Sequence, residues 1–233
     1  MKNDAGTEAA KRAAGEAAAA TVSDGDLVGL GTGSTAAHAI RRLGERVADG
    51  LAIEGVATSH QSRALAREAE IPLVTLSEVD RVDVGVDGVD QVAADGDANA
   101  LVKGGGAAHA REKVVAAAAD RLLVVADDSK LADTLDHPVP VEALPDALAR
   151  VERAVADIGG DPTLRAAERK DGPVVTDNGN LVFDCEFPAI EEPAALAAEL
   201  SGTAGVVEHG LFVDMADELF VGDADGDVVR REP

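Results

Sequence analysis

Short apolar runs alternate with helical stretches from residue 7 to Ala126, and several runs end in glycine. That alternation leaves few folds open. Strands separated by helices of about 12 residues need crossover connections, so the strands lie parallel and the helices cover the faces of one sheet. The expected strands cover residues 26–30, 51–57, 72–76, 82–86, 100–102 and 121–126. The expected helices cover 7–20, a segment capped by Ser34 or Thr35 and running to Val47, 60–70, and 107–119. In such sheets ligands gather beyond the carboxyl ends of the strands. The polar motifs described below fall at such ends.

The pattern changes after His137-Pro138. A strand at 139–143, a helix at 146–158, strands at 163–167 and 181–185 and a helix at 191–200 follow. Asp177-Asn178-Gly179-Asn180 between the last two strands is a hairpin signal. This β-α-β-β-α order predicts a small ferredoxin-like α+β domain. Residues 206–229 read as strands able to return to the first sheet. The expected molecule is therefore α/β: a doubly wound, mostly parallel sheet from residues 1–136 plus 206–233, with a smaller domain at 137–205.

Composition narrows the partners. The chain has 233 residues, enough for one core and a satellite. It carries 44 acids against 21 Lys and Arg, a formal charge of −23. Such a surface disfavours nucleic acid and anionic membranes, which both need basic patches. The acids are scattered, as on a solvated surface, and suit a salt-rich cytoplasm where like charges are screened. With one cysteine, no intrachain disulfide is possible. The first residues form no apolar signal segment, and no run of about 18 apolar residues occurs, so a cytoplasmic location is expected.

Four motifs carry chemistry. Gly29-Leu30-Gly31-Thr32-Gly33-Ser34-Thr35 follows a strand and opens a helix. Its glycines let the backbone approach an anion, the helix start supplies amides, and the hydroxyls can donate to phosphate oxygens. A dinucleotide site is the competing reading, since Gly31-x-Gly33-x-x-Ala36 fits that fingerprint, but Glu54 falls inside its strand rather than at its end. A plain tight turn is the third. Asp87-Gly88-Val89-Asp90 also follows an apolar strand. Alone it reads as a surface turn, or as a carboxylate pair for a divalent metal; the histidines offer no ligand spacing to support a metal.

Lys103-Gly104-Gly105-Gly106 joins a strand to a helix. Three consecutive glycines cost conformational entropy that a merely structural turn seldom requires. Glu112 lies just beyond, in the first or second helical turn. Alone it would read as a surface residue near a favourable dipole end. A carboxylate base, an ammonium group and open backbone amides together are the parts needed to move a proton beside a carbonyl. The six lysines of the chain include Lys11, Lys103, Lys113 and Lys130, the last in Asp127-Asp128-Ser129-Lys130 at another strand end. His38 and His109 read as packing or surface residues.

These blocks, with Asp87-Gly88-Val89-Asp90-Gln91, the run from Lys103 to Lys113, Thr176 to Asn180 and Gly205 to Phe212, resemble the ribose-5-phosphate isomerase type A family in order and spacing. The resemblance spans nearly the whole chain. It implies interconversion of ribose 5-phosphate and ribulose 5-phosphate, no metal or cofactor, and a homodimer or homotetramer. It implies Glu112 as the base, with Asp87, Asp90, Lys103 and the amides of Gly104 to Gly106 completing the site. Thr32, Gly33, Ser34, Thr35 and Lys130 would contact substrate, with Gly88 and Val89 beside them and Lys11 helping with phosphate. Two residues depart from the pattern: Gln91, where the family usually has Glu, and His109, where an uncharged residue is usual. A sugar-phosphate sensor, a CoA transferase and an amino-sugar phosphate deaminase are the alternatives on related scaffolds.

Overall fold

The computed structural model describes residues 6–93 and 99–232. Contacts divide the chain into two compact units. The larger takes the described residues of Asn3–Val89, Arg111–Leu131 and Met215–Pro233. The smaller takes those of Asp90–Ala110 and Ala132–Asp214. Among the described residues no helix is long and apolar enough to cross a membrane.

In the larger unit the strands lie in the order Val228–Arg231, Glu218–Gly222, Leu122–Asp127, Val84–Gly88, Leu27–Leu30, Glu54–Ala57 and Leu73–Val74. All neighbours are parallel except the Val228–Arg231 edge. From Leu27–Leu30 the chain winds outward to Leu73–Val74, then restarts on the other side at Val84–Gly88. The reversal point lies between Leu27–Leu30 and Val84–Gly88, where such sheets open a crevice for ligands. Strand Leu122–Asp127 is buried at all six positions, as both faces of a parallel strand should be.

Small side chains set the packing. Helix Glu8–Ala20 buries Ala10, Ala14 and Ala18 along one stripe. A Cβ on its Gly15 would lie 2.8 Å from the Ala39 nitrogen of helix Ser34–Ala48. A Cβ on Gly222 would lie 2.1 Å from the Ala10 carbonyl oxygen. The core thus closes by near contact of backbones, which is why it manages without Trp or Tyr. Leu43 of helix Ser34–Ala48 is fully enclosed, so its truncation to Ala should cost about 2–5 kcal/mol.

In the smaller unit the order is Asp161–Leu164, Leu181–Glu186, Val139–Ala143 and Val206–His209, antiparallel throughout. With helices Leu148–Asp157 and Pro193–Ser201 this is a β-α-β-β-α-β unit whose first strand is internal. Its core joins Val139, Val141, Val151, Phe183, Cys185 and Leu200. Burial pushes the Cys185 thiol up to about 12, with the neighbouring Asp184 charge adding to the effect, so Cys185 packs there as a small apolar group.

The tail does not return to the first sheet as a whole. Val206–His209 pairs with Val139–Ala143, and Leu211–Val213 pairs with Ala100–Val102. Only Glu218–Gly222 and Val228–Arg231 join the large sheet. Strand Ala100–Val102 also pairs with Gln91–Ala93, and Ala100 and Val102 share the apolar cluster of Val139 and Val141. That shared burial is why Asp90–Ala110 groups with the smaller unit, whereas the alternation pattern had assigned it to the larger.

Candidate active site

At the carboxyl edge of the large sheet, Gly31 leaves strand Leu27–Leu30 with its N–H donated to the Val86 carbonyl at 3.0 Å. Asp87, buried in the neighbouring strand, accepts through one carboxylate oxygen from the Thr32 N–H at 3.0 Å and the Gly88 N–H at 2.7 Å. Asp87 therefore ties the two strand ends together. The tie leaves no space at Gly31: a Cβ there would lie 2.2 Å from that oxygen and 2.6 Å from the Asp87 Cα. Val89, half-buried, follows Gly88.

Helix Ser34–Ala48 begins at this edge. Its N-cap is Gly33, with φ 112° and no side-chain cap hydrogen bond, rather than Ser34 or Thr35. The backbone geometry decides this, because a positive φ of that size favours glycine over a hydroxyl residue. Ser34 and Thr35 become the first helical residues instead. Their amides belong to the turn that lacks intrahelical partners and favours an anion.

The Thr32 hydroxyl is held by two residues that the motif reading missed. It lies 2.9 Å from the Thr58 hydroxyl and donates to the Ser59 hydroxyl at 2.7 Å. Thr58 and Ser59 are buried at the end of strand Glu54–Ala57, and Ser59 caps helix His60–Glu68 in a capping box with Ser62. The Ser-x-x-Ser spacing signals that cap in the sequence; its link to Thr32 does not show there.

Among the described residues three lysines are almost wholly buried: Lys11 at 4% exposure, Lys103 at 2% and Lys130 at 7%. Lysine is rarely enclosed without a charge partner. Lys11 pairs at 3.6 Å with Glu8, whose side chain is 71% exposed, so that pair is weak. Lys130 closes the turn Asp128–Lys130 at the end of strand Leu122–Asp127, where buried Asp127 accepts from the Ser129 N–H at 3.1 Å. Glu112 stands in helix His109–Ala118 and is 4% exposed. Among the described residues only two glutamates are buried, Glu112 and Glu142. Glu142 is engaged in the smaller unit, where one oxygen accepts from Thr176, Asn178 and Asn180 at 2.9, 3.1 and 2.7 Å. That bonding accounts for the Thr176 to Asn180 motif as a turn clasped onto strand Val139–Ala143.

The smaller unit holds the second set. Lys103 follows strand Ala100–Val102, and its ammonium nitrogen sits 5.3 Å from the centre of the buried Phe212 ring, within cation–π range. The Lys103 N–H donates to the Gly210 carbonyl at 2.8 Å. Asp90 accepts from the Gly105 N–H at 2.7 Å, and a Cβ on Gly105 would strike the Asp90 carboxylate at 2.7 Å. Gly104 has φ 104°, and a Cβ there would meet the buried His109 ring at 2.8 Å. His109 thus serves as the floor of the loop, its Nε2 3.3 Å from the Glu208 carbonyl oxygen. Gly106 is exposed at the loop.

Arg165 was missed altogether. Its guanidinium donates to the carbonyls of Gly104 and Gly105 at 3.0 and 3.3 Å and pairs with Asp184. Burial opposes the Asp184 charge, but the Arg165 hydrogen bond and charge prevail and hold its carboxyl below the ordinary range. Nothing near Arg165 in sequence marks it. Gln91 has a plain role. Its carbonyl accepts from the N–H groups of Asp136 and His137 at 2.9 and 2.8 Å, and its amide donates to the Asp136 carboxylate at 2.6 Å. A Glu at position 91 would face Asp136 with like charge. Among the described residues no group of three or more His, Cys, Asp and Glu is placed to hold a metal ion.

Comparison with known proteins supplies the remaining findings. The sequence profile of the family described as ribose 5-phosphate isomerase A (phosphoriboisomerase A) matches residues 54–226. A ribose-5-phosphate isomerase A of Natronomonas pharaonis is 68% identical over 99% of this chain and 100% of the relative. One of Haloarcula marismortui is 62% identical over 97% and 96%. Both organisms are halophilic archaea, in line with the acidic composition. A solved D-ribose-5-phosphate isomerase in complex with phospho-erythronic acid superposes with a TM-score of 0.91 at 40% identity, covering 96% of this chain and 97% of that one.

Proposed function

The chain belongs to the ribose 5-phosphate isomerase A family, and from that premise we propose how its own residues perform the reaction. The enzyme interconverts D-ribose 5-phosphate and D-ribulose 5-phosphate, an aldose–ketose isomerisation of the non-oxidative pentose phosphate pathway. The C–H beside a carbonyl is a very weak acid. A base must take that proton while the carbonyl oxygen gains charge, giving an enediolate.

Glu112 takes the proton from C2 of the open aldose and returns it to C1, or the reverse. One carboxylate serves both carbons when the enediolate stays bound on one face. Lys103 and the amides of Gly104 to Gly106 stabilise the oxyanion, an effect worth roughly 10²–10³ in rate per donor. Asp87 and Asp90 orient hydroxyls, assist ring opening and move protons between oxygens. The helix start at Thr32 to Thr35, with Lys11 and Lys130, holds the phosphate. Anchoring the sugar far from the reacting carbons turns binding energy into position. No metal or cofactor enters this scheme.

One observation carries the reading. Glu112 is 4% exposed in the first turn of helix His109–Ala118, six residues beyond the Gly104 to Gly106 loop, whereas Glu142, the other buried glutamate among the described residues, is bound by the Thr176 to Asn180 turn of the smaller unit. The wider setting follows the same family logic: a homodimer or homotetramer in the cytoplasm, acting on free sugar phosphate rather than nucleic acid or membrane. The test is ketopentose formation from ribose 5-phosphate with chelator present. Full activity is expected, and a Glu112→Gln variant should bind sugar phosphate yet turn over at least ~10²-fold more slowly. Near-normal turnover by that variant would refute the assignment.

A further inference from the structure

We propose that Arg165 is a positioning residue that aims and polarises the amides of the Gly104-Gly105-Gly106 loop. The proposal rests on the reading of that loop as the oxyanion cradle. A trans peptide is planar, so the carbonyl of one residue and the N–H of the next point in opposite directions. The Arg165 Nη1 group holds the Gly104 carbonyl at 3.0 Å. The Gly105 N–H must then face away from the guanidinium, and it does: it donates to Asp90 at 2.7 Å. The same Nη1 reaches the Gly105 carbonyl at 3.3 Å, which turns the Gly106 N–H away as well. The Ala107 N–H also donates to the Gly104 carbonyl at 2.9 Å; the guanidinium adds a second bond there and links it to the next carbonyl, so one cation braces two successive peptides.

The cation also changes their strength. A positive charge on a peptide oxygen draws electrons from the nitrogen, and each bond in such a chain reinforces the next. Of the two amides polarised in this way, the Gly105 N–H is taken by Asp90, so the Gly106 N–H is the one that becomes a better donor to a developing negative oxygen. Glycine permits the loop to take this path but leaves it soft, so the stiffness must come from elsewhere.

The remaining donors of Arg165 fix the guanidinium itself. Nε donates to one Asp184 oxygen at 2.9 Å and Nη2 pairs with the other. This fork holds the planar group in one orientation, which a lysine cannot reproduce. The backbone N–H of Arg165 donates to the Val182 carbonyl at 2.8 Å, so Arg165 and Asp184 both lie on the antiparallel frame of the smaller unit. The loop is thereby braced against a sheet. An arginine needed only to tie strand Asp161–Leu164 to Leu181–Glu186 would need Asp184 alone.

The test compares Arg165→Ala, Arg165→Lys and Asp184→Asn with the unaltered chain in molar KCl, with folded fraction measured alongside. Arg165→Ala should lower kcat by ~10²-fold with KM for ribose 5-phosphate within ~3-fold, as misplaced oxyanion donors would. Added guanidinium ion should restore at least ~10-fold of that loss, and an equal addition of KCl should not. Arg165→Lys can hold Asp184 or the carbonyls but not both, so it should lose ~10-fold in kcat. Asp184→Asn should move kcat in the same direction by less. If Arg165→Ala does not fold, the Lys and Asn variants decide alone. The proposal is overturned if kcat per folded molecule is unchanged, if the whole effect falls on KM, or if guanidinium does no better than KCl. Normal turnover of the Arg165 variants beside a dead Glu112→Gln enzyme would sink this inference only; an active Glu112→Gln would sink the reading of the site instead.

Discussion

The Gly31 to Thr35 loop and the Lys103 to Gly106 loop both present backbone amides at the end of a strand, yet they are held in different ways. The first is held by the end of the neighbouring strand and by its own helix. Asp87 bonds the Thr32 and Gly88 amides, and a regular helix continues from Gly33. The second has no helix starting at its glycines. It depends on Asp90 from one side and on the distant Arg165–Asp184 pair from the other. A helix start is a standing site for an anion that keeps its charge throughout, such as phosphate. A glycine loop under an ion pair can be aimed at an oxygen that is charged only during reaction. In the mechanism we propose, the first loop therefore serves binding and the second serves rate.

Alanine at the two glycines separates them most sharply. Gly31→Ala puts a Cβ within 2.2 Å of the Asp87 carboxylate, and it should raise KM and lower kcat/KM by ~10²-fold or more. Gly104→Ala meets φ 104° and the His109 ring, and it should lower kcat by ~10²-fold with a smaller change in KM. Steady-state kinetics on ribose 5-phosphate read both. If the two variants change the same parameter, the division of labour is wrong.

Glu142→Leu removes the acceptor of three side-chain donors away from either loop. It should destabilise the protein by about 3 kcal/mol, seen as a lower Tm, with kcat unchanged well below that temperature. Loss of kcat there would tie the Thr176 to Asn180 turn to the site. Acid should next distinguish the loops. The Asp184 carboxyl is held below its ordinary range. Its contribution is therefore complete above the unfolded value of about 3.9 and lost as pH falls through the lower folded value. Asp184→Asn should flatten the stability profile in that acid window and leave it unaltered near neutrality in shape. The smallest effect belongs to Gln91→Glu, which places two carboxylates together at an exposed position; a loss of under about 1 kcal/mol is expected.

The same contrast explains what was legible in the sequence. Glycines and hydroxyls that lie within a few residues of one another, such as Gly31 to Thr35, announce their strand end directly. The alternating pattern likewise gave the parallel sheet and the β-α-β-β-α order, because periodicity is a local property. Gly33 as the N-cap was not legible, since a hydroxyl residue is the ordinary expectation and only the backbone angle overrides it. Arg165 was invisible because its bonds to Gly104 and Gly105 span sixty or more residues of chain, and Asp184 acts only by pairing with Arg165. The path of the tail was misread for a related reason: Leu211–Val213 finds its partner in Ala100–Val102, a pairing no local pattern encodes.

The most direct measurement follows hydrogen at the sugar carbons. Ribose 5-phosphate deuterated at C2 is incubated with the unaltered enzyme and with Glu112→Gln, and NMR records deuterium at C1 of the product and its loss to water. The account predicts transfer and washout with the unaltered enzyme and at least ~10²-fold slower loss of C2 deuterium with the variant, although it still binds the sugar. Removal of C2 deuterium at an undiminished rate by Glu112→Gln would contradict it.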